Sequence, residues 1–181
     1  MTFDIPMDPA KAPTAQEKGV RVVKGVPMFY KKKALVDFER ELTAHIDAQR
    51  KGYRIPKGEA VFFHVAFMFS WPLSTPMKRR ADWEPMVQRP DGENLTKAVV
   101  DCFGDRYRKE GGRWVVAHEG VFPDDSAIAP LVVSKFRTTG RPRILVRVCP
   151  RAEWVRDMKG FFWGIDTPRK GYILRYTRNR R

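Results

Sequence analysis

The chain has 181 residues, with 35 Lys and Arg against 21 Asp and Glu and a pI of about 10.1. The length suits a single domain, and a hydrophobic content of 43% with 12% aromatic residues excludes a wholly disordered chain. A membrane-spanning helix is excluded because no run of about 18 apolar residues occurs. The net charge of +14 is typical of a protein that binds nucleic acid. Charge alone leaves open an anionic membrane surface or a soluble protein with a basic exterior.

The cysteines and the N-terminal segment indicate a reducing compartment. Cys102 and Cys149 are not spaced as zinc ligands, and the sequence has only three histidines. Met1–Lys11 is Pro-rich and acidic, unlike the basic and then apolar start of a secretory signal. We therefore expect two free thiols, although one disulfide would be possible, in a cytoplasmic protein with no membrane partner.

The first part of the chain predicts one helix and a buried strand. Residues 1–19 lack periodicity and predict a flexible arm. Residues 20–30 are rich in β-formers but contain Gly and Pro, which predicts an edge strand or a bulged one. Apolar residues at helical spacing predict a helix over 34–50. The apolar run over 60–69 predicts a central strand buried on both faces, with His64 as a core residue that has a backbone partner.

The middle of the chain predicts a basic loop, a second helix and a short strand. The Pro-rich stretch 71–90 predicts a mobile loop that carries Lys, Arg and Arg at positions 78–80. Helical spacing returns over 94–103. Residues 105–112 predict a charged turn, and residues 114–121 a short strand.

The last third predicts a β-hairpin and then a basic extension. Strands over 127–136 and 143–149 are separated by the turn signal Thr139–Pro142, and Pro130 places the first of them at an edge or a bulge. The element order predicts a single α/β (α+β) domain over 20–150, with two main helices packed on a mixed sheet. Residues 151–181 form an extension in which aromatic residues alternate with cations. Such a tail would stack on bases, or pack its aromatic rings against the core.

Acidic residues cluster at two places in this basic chain. Pro90–Lys97 enters the second helix, and Phe122–Ser126 precedes the predicted hairpin. Each cluster alone is ordinary capping or turn chemistry. Together they suit divalent metals, because Mg²⁺ takes one or two carboxylates together with water and phosphate oxygens. If the strand lies beside the start of the helix, Asp91, Glu93 and Asp125 would converge, with Lys97 pairing with Glu93 or contacting the same phosphate.

These segments carry a resemblance to a known family. The run Asp91–Lys97, then Val100–Gly104, then the pair Asp124–Asp125 and Lys135 resemble the RusA family of Holliday junction resolvases. That family's pattern runs Pro-Asp-x-Asp-Asn-Leu-x-Lys, then a helix ending in Asp-x-Leu-like residues, then Asp-Asp before a strand that carries Lys. The resemblance covers about residues 60–149, and leaves out the N-terminal arm and the basic tail.

The resemblance implies a homodimeric, Mg²⁺-dependent endonuclease that cuts opposed strands of four-way DNA junctions. Mn²⁺ is expected to substitute for Mg²⁺. Such proteins are often encoded by phages or prophages, so the resemblance implies the bacterial cytoplasm. Implied catalytic residues are Asp91, Glu93, Lys97 and Asp125, and implied metal ligands are Asp91, Glu93, Asp124 and Asp125. From the resemblance and the basic segments together, we expect DNA contacts at Lys78, Arg79, Arg80, Lys97, Lys135 and Arg137.

The sequence departs from the family pattern at two places. Glu93 stands where the pattern has Asp, so this carboxylate reaches one methylene further. Residues 105–121 are longer than the expected connection and carry several cations, which predicts an extra DNA-facing flap. Two alternatives stay open at this stage: a non-catalytic nucleic-acid-binding protein, and a nuclease of the same fold that acts on other branched DNA.

Overall fold

A computed structural model describes residues 1–13, 18–88 and 90–155. Its largest element is a five-stranded mixed sheet, on which two α-helices pack, and this confirms the predicted α+β class. The helices are α1 (Lys33–Arg50) and α2 (Gly92–Phe103). The strands are β1 (Thr2–Ile5), β2 (Lys18–Val23), β3 (Val26–Lys31), β4 (Val61–Ser70), β5 (Glu84–Pro85), β6 (Arg106–Glu110), β7 (Arg113–His118), β8 (Ile128–Thr138) and β9 (Arg143–Pro150).

Both predicted helices are confirmed, and both cover the same face of the sheet. Alternate residues of β4, including Phe63 and Phe67, are fully buried in one core with the apolar stripes of α1 and α2. Leu42 of α1 and Val99 of α2 are likewise fully buried. Burying such large apolar side chains is the main stabilising contribution to a domain of this size.

The sheet order is β1-β9-β4-β8-β5, so the predicted hairpin between β8 and β9 is wrong. Strand β4 lies between them, parallel to β8 and antiparallel to β9. Because β4 is buried along most of its length, it needs a hydrogen-bonding neighbour on each edge. The turn at residues 139–142 therefore crosses the end of β4 instead of closing a tight hairpin.

The N-terminal arm is not loose over its described residues, which corrects the expectation for residues 1–19. Strand β1 pairs with β9 and forms an outer strand of the main sheet. Phe3 and Ile5 alternate with exposed residues and have no exposed surface. Their burial anchors the start of the chain to the core.

Two β-ribbons project from the main sheet, and both differ from the predictions. Residues 20–30 are two paired strands, β2 and β3, instead of one edge strand, because Lys24 and Gly25 form a tight turn with φ of 50° and 79°. Residues 105–112 contain strand β6, which pairs with β7. The turn between them is Gly111–Gly112, with φ of 54° and 85°, a conformation that suits glycine.

The loop over 71–90 is tethered, where a mobile loop was expected. Its strand β5 pairs with β8, and Asp82 accepts hydrogen bonds from Thr138 Oγ1, Thr139 N and Thr139 Oγ1 at 2.7–2.9 Å. These hydrogen bonds lower the pKa of Asp82. The chain therefore enters α2 from a defined position.

Three smaller expectations are also decided. The pairing of β8 with β4 shifts register beside Pro130, which confirms the predicted bulge. Cys102 and Cys149 are buried thiols, as expected. His64 is only half-buried, and its Nε2 lies 3.1 Å from Ser134 Oγ, so its partner is a side chain and not the predicted backbone group. No helix within the described ranges is long and apolar enough to cross a membrane.

Candidate active site

The local sequence at the start of α2 allows the helix to pack closely against β8. Asp91 is the N-cap, and its Oδ1 accepts a hydrogen bond from Glu93 N at 3.2 Å. Gly92 lies so close to β8 that a Cβ built there would be 2.9 Å from Val133 Cγ1. Glycine at this position allows the first turn of α2, with its acidic residues, to rest directly on the strand.

One face of α2 carries alternating charges at four-residue spacing. Glu93, Lys97 and Asp101 follow one another along the exposed side, because residues i, i+4 and i+8 share a helical face. All three line a cavity of about 510 Å³. Asp125, which follows β7 in the chain and precedes β8, lines the same cavity. A lysine and three carboxylates from two separate segments therefore share one open cavity.

A second cavity of about 360 Å³ shares Asp101 and Asp125 with the first. Its other wall includes Lys31 and Glu39, which form an ion pair with Nζ and Oε1 2.7 Å apart. Tyr107 of β6 also lines it. Asp101 and Asp125 thus form the boundary between two adjoining cavities.

The pKa of Asp101 reflects both burial and the charges at this boundary. Partial burial raises the pKa of this carboxyl. Lys31 and Lys97 oppose the increase, while Glu39 and Asp125 add to it. Two lysines and two further carboxylates thus act on Asp101, and burial is the main cause of its raised pKa.

Asp91 and Asp124 lie at the margins of this arrangement. Asp91 is engaged as the helix cap and is not part of the lining of the 510 Å³ cavity. Asp124 caps the short 3-10 turn Asp125–Ala127, accepting a hydrogen bond from Ser126 N at 2.7 Å. Its hydrogen bonds to the backbone and side chain of Ser126 lower the pKa of Asp124. Asp124 lines the 360 Å³ cavity but not the one that holds Glu93.

Lys135 and Arg137 of β8 brace the loop that leads into α2. Lys135 Nζ donates to the carbonyl oxygens of Gln88 and Pro90, at 2.8 and 2.9 Å. Arg137 donates to Ser70 O and to Gln88 Oε1, both at 2.8 Å. These contacts fix the chain just before Asp91, so both cations position the acidic motif in addition to any DNA contact.

Of the three cations in the basic loop, one forms hydrogen bonds within the loop and two are exposed. Arg80 donates to the carbonyl oxygens of Thr75, Pro72 and Leu73, within its own loop. Lys78 and Arg79 are exposed on the short helical turn Met77–Arg79. DNA contact by all three residues stays a prediction.

The carboxylates do not form a closed metal cage. Within the part of the chain that the structure describes, no group of three or more His, Cys, Asp or Glu side chains is placed to hold a metal ion. Their chemistry nevertheless fits Mg²⁺, which prefers oxygen ligands and is usually held by one or two carboxylates with several waters. The open cavity leaves room for those waters and for a phosphate oxygen.

Residues 8–149 match the family model described as Endodeoxyribonuclease RusA. The chain belongs to the RusA family. This confirms the resemblance to the Holliday junction resolvases and makes a DNA endonuclease the general activity of the chain. The match includes the acidic motif at the start of α2 and the Asp124–Asp125 pair. The curated proteins include no match to the chain.

Several residues that line the candidate site were absent from the site residues predicted from the sequence. Asp101 lies in the Val100–Gly104 segment of the resemblance, where it was given no role, and its distance of one helical turn from Lys97 was a second signal. Lys31, Glu39 and Tyr107 carried no comparable signal, because they join the site only through the packing of α1 and the β6–β7 ribbon.

Proposed function

We propose that this RusA-family protein is a Mg²⁺-dependent, structure-selective endonuclease that resolves four-way DNA junctions by paired hydrolytic nicks. One observation carries the proposal: Glu93, Asp101 and Asp125 line one open cavity together with Lys97 in a chain with net charge +14. A protein that only held DNA would be weakened by such acidity, because its affinity comes from cations that neutralise phosphates. An enzyme that positions a cation on one phosphate requires it.

The acidic residues are assigned to metal binding. Glu93 and Asp125 are proposed as ligands of Mg²⁺, with Asp101 beside them. Asp91 and Asp124 complete the donor set from its margins, and Mn²⁺ should substitute. The bound ion would supply charge neutralisation at the scissile phosphate and favour ionisation of the attacking water.

Lys97 is proposed to contact a non-bridging oxygen of the scissile phosphate. It lines the cavity one helical turn from Glu93 and one from Asp101, so two carboxylates of α2 flank it on the same face. The exposed Lys78 and Arg79, with Arg80 at the base of their loop, would hold the flanking backbone. Lys135 and Arg137 would keep the acidic motif in place as the phosphate enters.

We propose a homodimer, because a two-fold junction presents two equivalent strands to a two-fold enzyme. The β2–β3 ribbon offers a surface for the second copy. Val20, Val22 and Phe29 lie on one of its faces with 55%, 70% and 72% of their surface exposed. An isolated two-stranded ribbon is marginally stable in water, so cover by a partner would stabilise it. Sedimentation of Phe29→Ser should show monomers, with Arg21→Ser on the opposite face as the control.

The functional proposal is tested with single charge-removing variants on a synthetic four-way junction. Asp125→Asn and Asp91→Asn should abolish nicking in Mg²⁺ while junction binding in a chelator is retained. Asn is as good an N-cap as Asp, so the second variant removes charge and keeps the start of α2. Cleavage by both variants at the wild-type rate would refute the assigned site.

A panel of substrates separates this proposal from the alternatives. Four-way, three-way, flap and linear DNA are compared at equal concentration with Mg²⁺. Preference for flaps or forks would indicate a nuclease of the same fold with another branched substrate. Binding without any cleavage would indicate a non-catalytic nucleic-acid-binding protein.

A further inference from the structure

The β6–β7 ribbon has two chemically different faces. Antiparallel register places Tyr107 opposite Val116 and Lys109 opposite Trp114, and these four residues share one face. The other face carries Arg108, paired with Glu110 in an ion pair. One side of the ribbon is therefore mainly aromatic and apolar, with one lysine, and the other side is mainly charged.

The aromatic face is open along its whole length. Tyr107, Val116 and Trp114 have 50%, 47% and 70% of their surface exposed. Exposure of this much aromatic surface on a strongly charged ribbon is unfavourable unless a ligand covers it. The adjacent Lys109 is also exposed.

This face begins at the candidate active site. Tyr107 lines the 360 Å³ cavity together with Asp101, Asp124 and Asp125. Val116 lies opposite Tyr107 on the ribbon, and Lys109 and Trp114 lie further along the same face, near the turn. A strand of DNA with its phosphate at the carboxylates would have its neighbouring nucleotides beside this face.

The base of the ribbon is held firmly. Asp105, which precedes β6, accepts two hydrogen bonds from Arg54 and one from Gly120 N, all at 2.8 Å. Arg106 donates to Thr43 Oγ1 of α1. Gly120 lies so close to α2 that a Cβ would be 2.3 Å from Phe103 O. These contacts fix the direction of the aromatic face relative to the cavity.

We propose that this face is a second DNA-binding site, on which unpaired or unstacked bases beside a branch point stack against Trp114 and Tyr107. Aromatic rings stack with every base, and a neighbouring cation binds the phosphate between stacked nucleotides. The excess of cations on the ribbon, with Lys109, Arg108 and Arg113 against Glu110, favours a polyanion over a second protein chain. The proposal deepens the nuclease function and rests on it for the identity of the ligand as DNA.

The test measures DNA binding in a chelator, where no cleavage occurs. A 20-nucleotide single strand and a duplex of the same length are titrated against wild type, Trp114→Ala, Trp114→Phe and Val115→Ala. Trp114→Ala removes the stacking of one base, so it should bind the single strand roughly 5- to 150-fold more weakly than wild type does. Duplex binding should change far less. Trp114→Phe keeps a stacking ring, and Val115→Ala alters the opposite face, so both should bind the single strand within a factor of about three of wild type.

Equal single-strand binding by wild type and Trp114→Ala would overturn the proposal. A change of oligomeric state in Trp114→Ala, measured by sedimentation, would also overturn it, because the face would then serve a second copy. The nuclease proposal fails separately, by absence of junction nicking in Mg²⁺ with wild-type protein. Thermal unfolding of each variant verifies that the substitutions leave the fold intact.

Discussion

Asp105→Asn tests whether the base of the β6–β7 ribbon depends on a buried ion pair. Asp105 has 2% of its side chain exposed and meets Arg54 through two hydrogen bonds of 2.8 Å. The substitution keeps the shape, but removes the charge and turns an amide donor toward one of the two sites that held an oxygen. Arg54 Nη1 and Gly120 N both donate to Asp105 Oδ1, so an Asn oxygen there keeps these two bonds, while the new amide group faces Arg54 Nη2 and offers it no acceptor.

The expected loss follows from the geometry of the pair. Breaking a fully buried pair by removing one partner costs about 3–5 kcal/mol. The Arg54 side chain is 31% exposed, so water would recover part of its solvation, and we expect a loss of about 2–3 kcal/mol. In a domain of this size, that corresponds to a decrease in Tm of roughly 4–12 °C.

The assay is urea unfolding at pH 7, with Asp37→Asn as the matched control. Asp37 pairs with Arg40 at 2.8 Å on the exposed surface of α1, and its loss should cost less than about 0.5 kcal/mol. Hydrogen bonding to Arg54 lowers the pKa of Asp105. Its contribution is therefore complete above about pH 4–5 and is lost as the pH falls through the lowered folded pKa. A loss as small as the control's, or a difference that grows in acid, would refute the reasoning.

Three further variants test the packing and the positioning of the site. Gly92→Ala should destabilise the protein by about 1–3 kcal/mol in thermal unfolding, because its Cβ meets the stiff Val133 side chain, and a gain from helix propensity would contradict this. Lys135→Met removes both hydrogen bonds to the loop before α2, so it should slow cleavage more than it weakens junction binding; the opposite pattern would make Lys135 mainly a DNA contact. Burial lowers the pKa of His64, so wild-type stability should fall from pH 7.5 to 5.5 as the unfolded imidazole protonates. His64→Gln should flatten that change in urea unfolding, and an unchanged slope would count against it.

The periodic elements were accessible from the sequence because local pattern determines them. Both helices carry apolar residues at helical spacing, and β4 is a long apolar run that only a central position can bury. The pairing of β8 and of β9 with β4 could not be predicted in this way, because it depends on tertiary structure and not on local pattern. The turn at residues 139–142 signals a chain reversal. The chain passes over the end of β4 there because the buried β4 needs a hydrogen-bonding strand on each edge.

Two missed elements carried weak signals. Phe3 and Ile5 alternate with polar residues, yet a run of four residues is too short to distinguish a strand from an arm. Strand β6 is almost entirely charged, so its hydropathy predicts a loop. The Gly111–Gly112 pair was the signal for a hairpin turn after it. The sequence indicated the acidic motifs, whereas Lys31, Glu39 and Tyr107 depend on tertiary packing.

The most direct measurement is cleavage of a synthetic four-way junction by wild-type protein, with Mg²⁺ and with a chelator, under single-turnover conditions. We expect paired nicks in opposed strands with Mg²⁺, none with the chelator, and little cleavage of linear duplex at the same concentration. Cleavage that persists in the chelator, or no cleavage of any branched substrate in Mg²⁺ or Mn²⁺, would contradict the account.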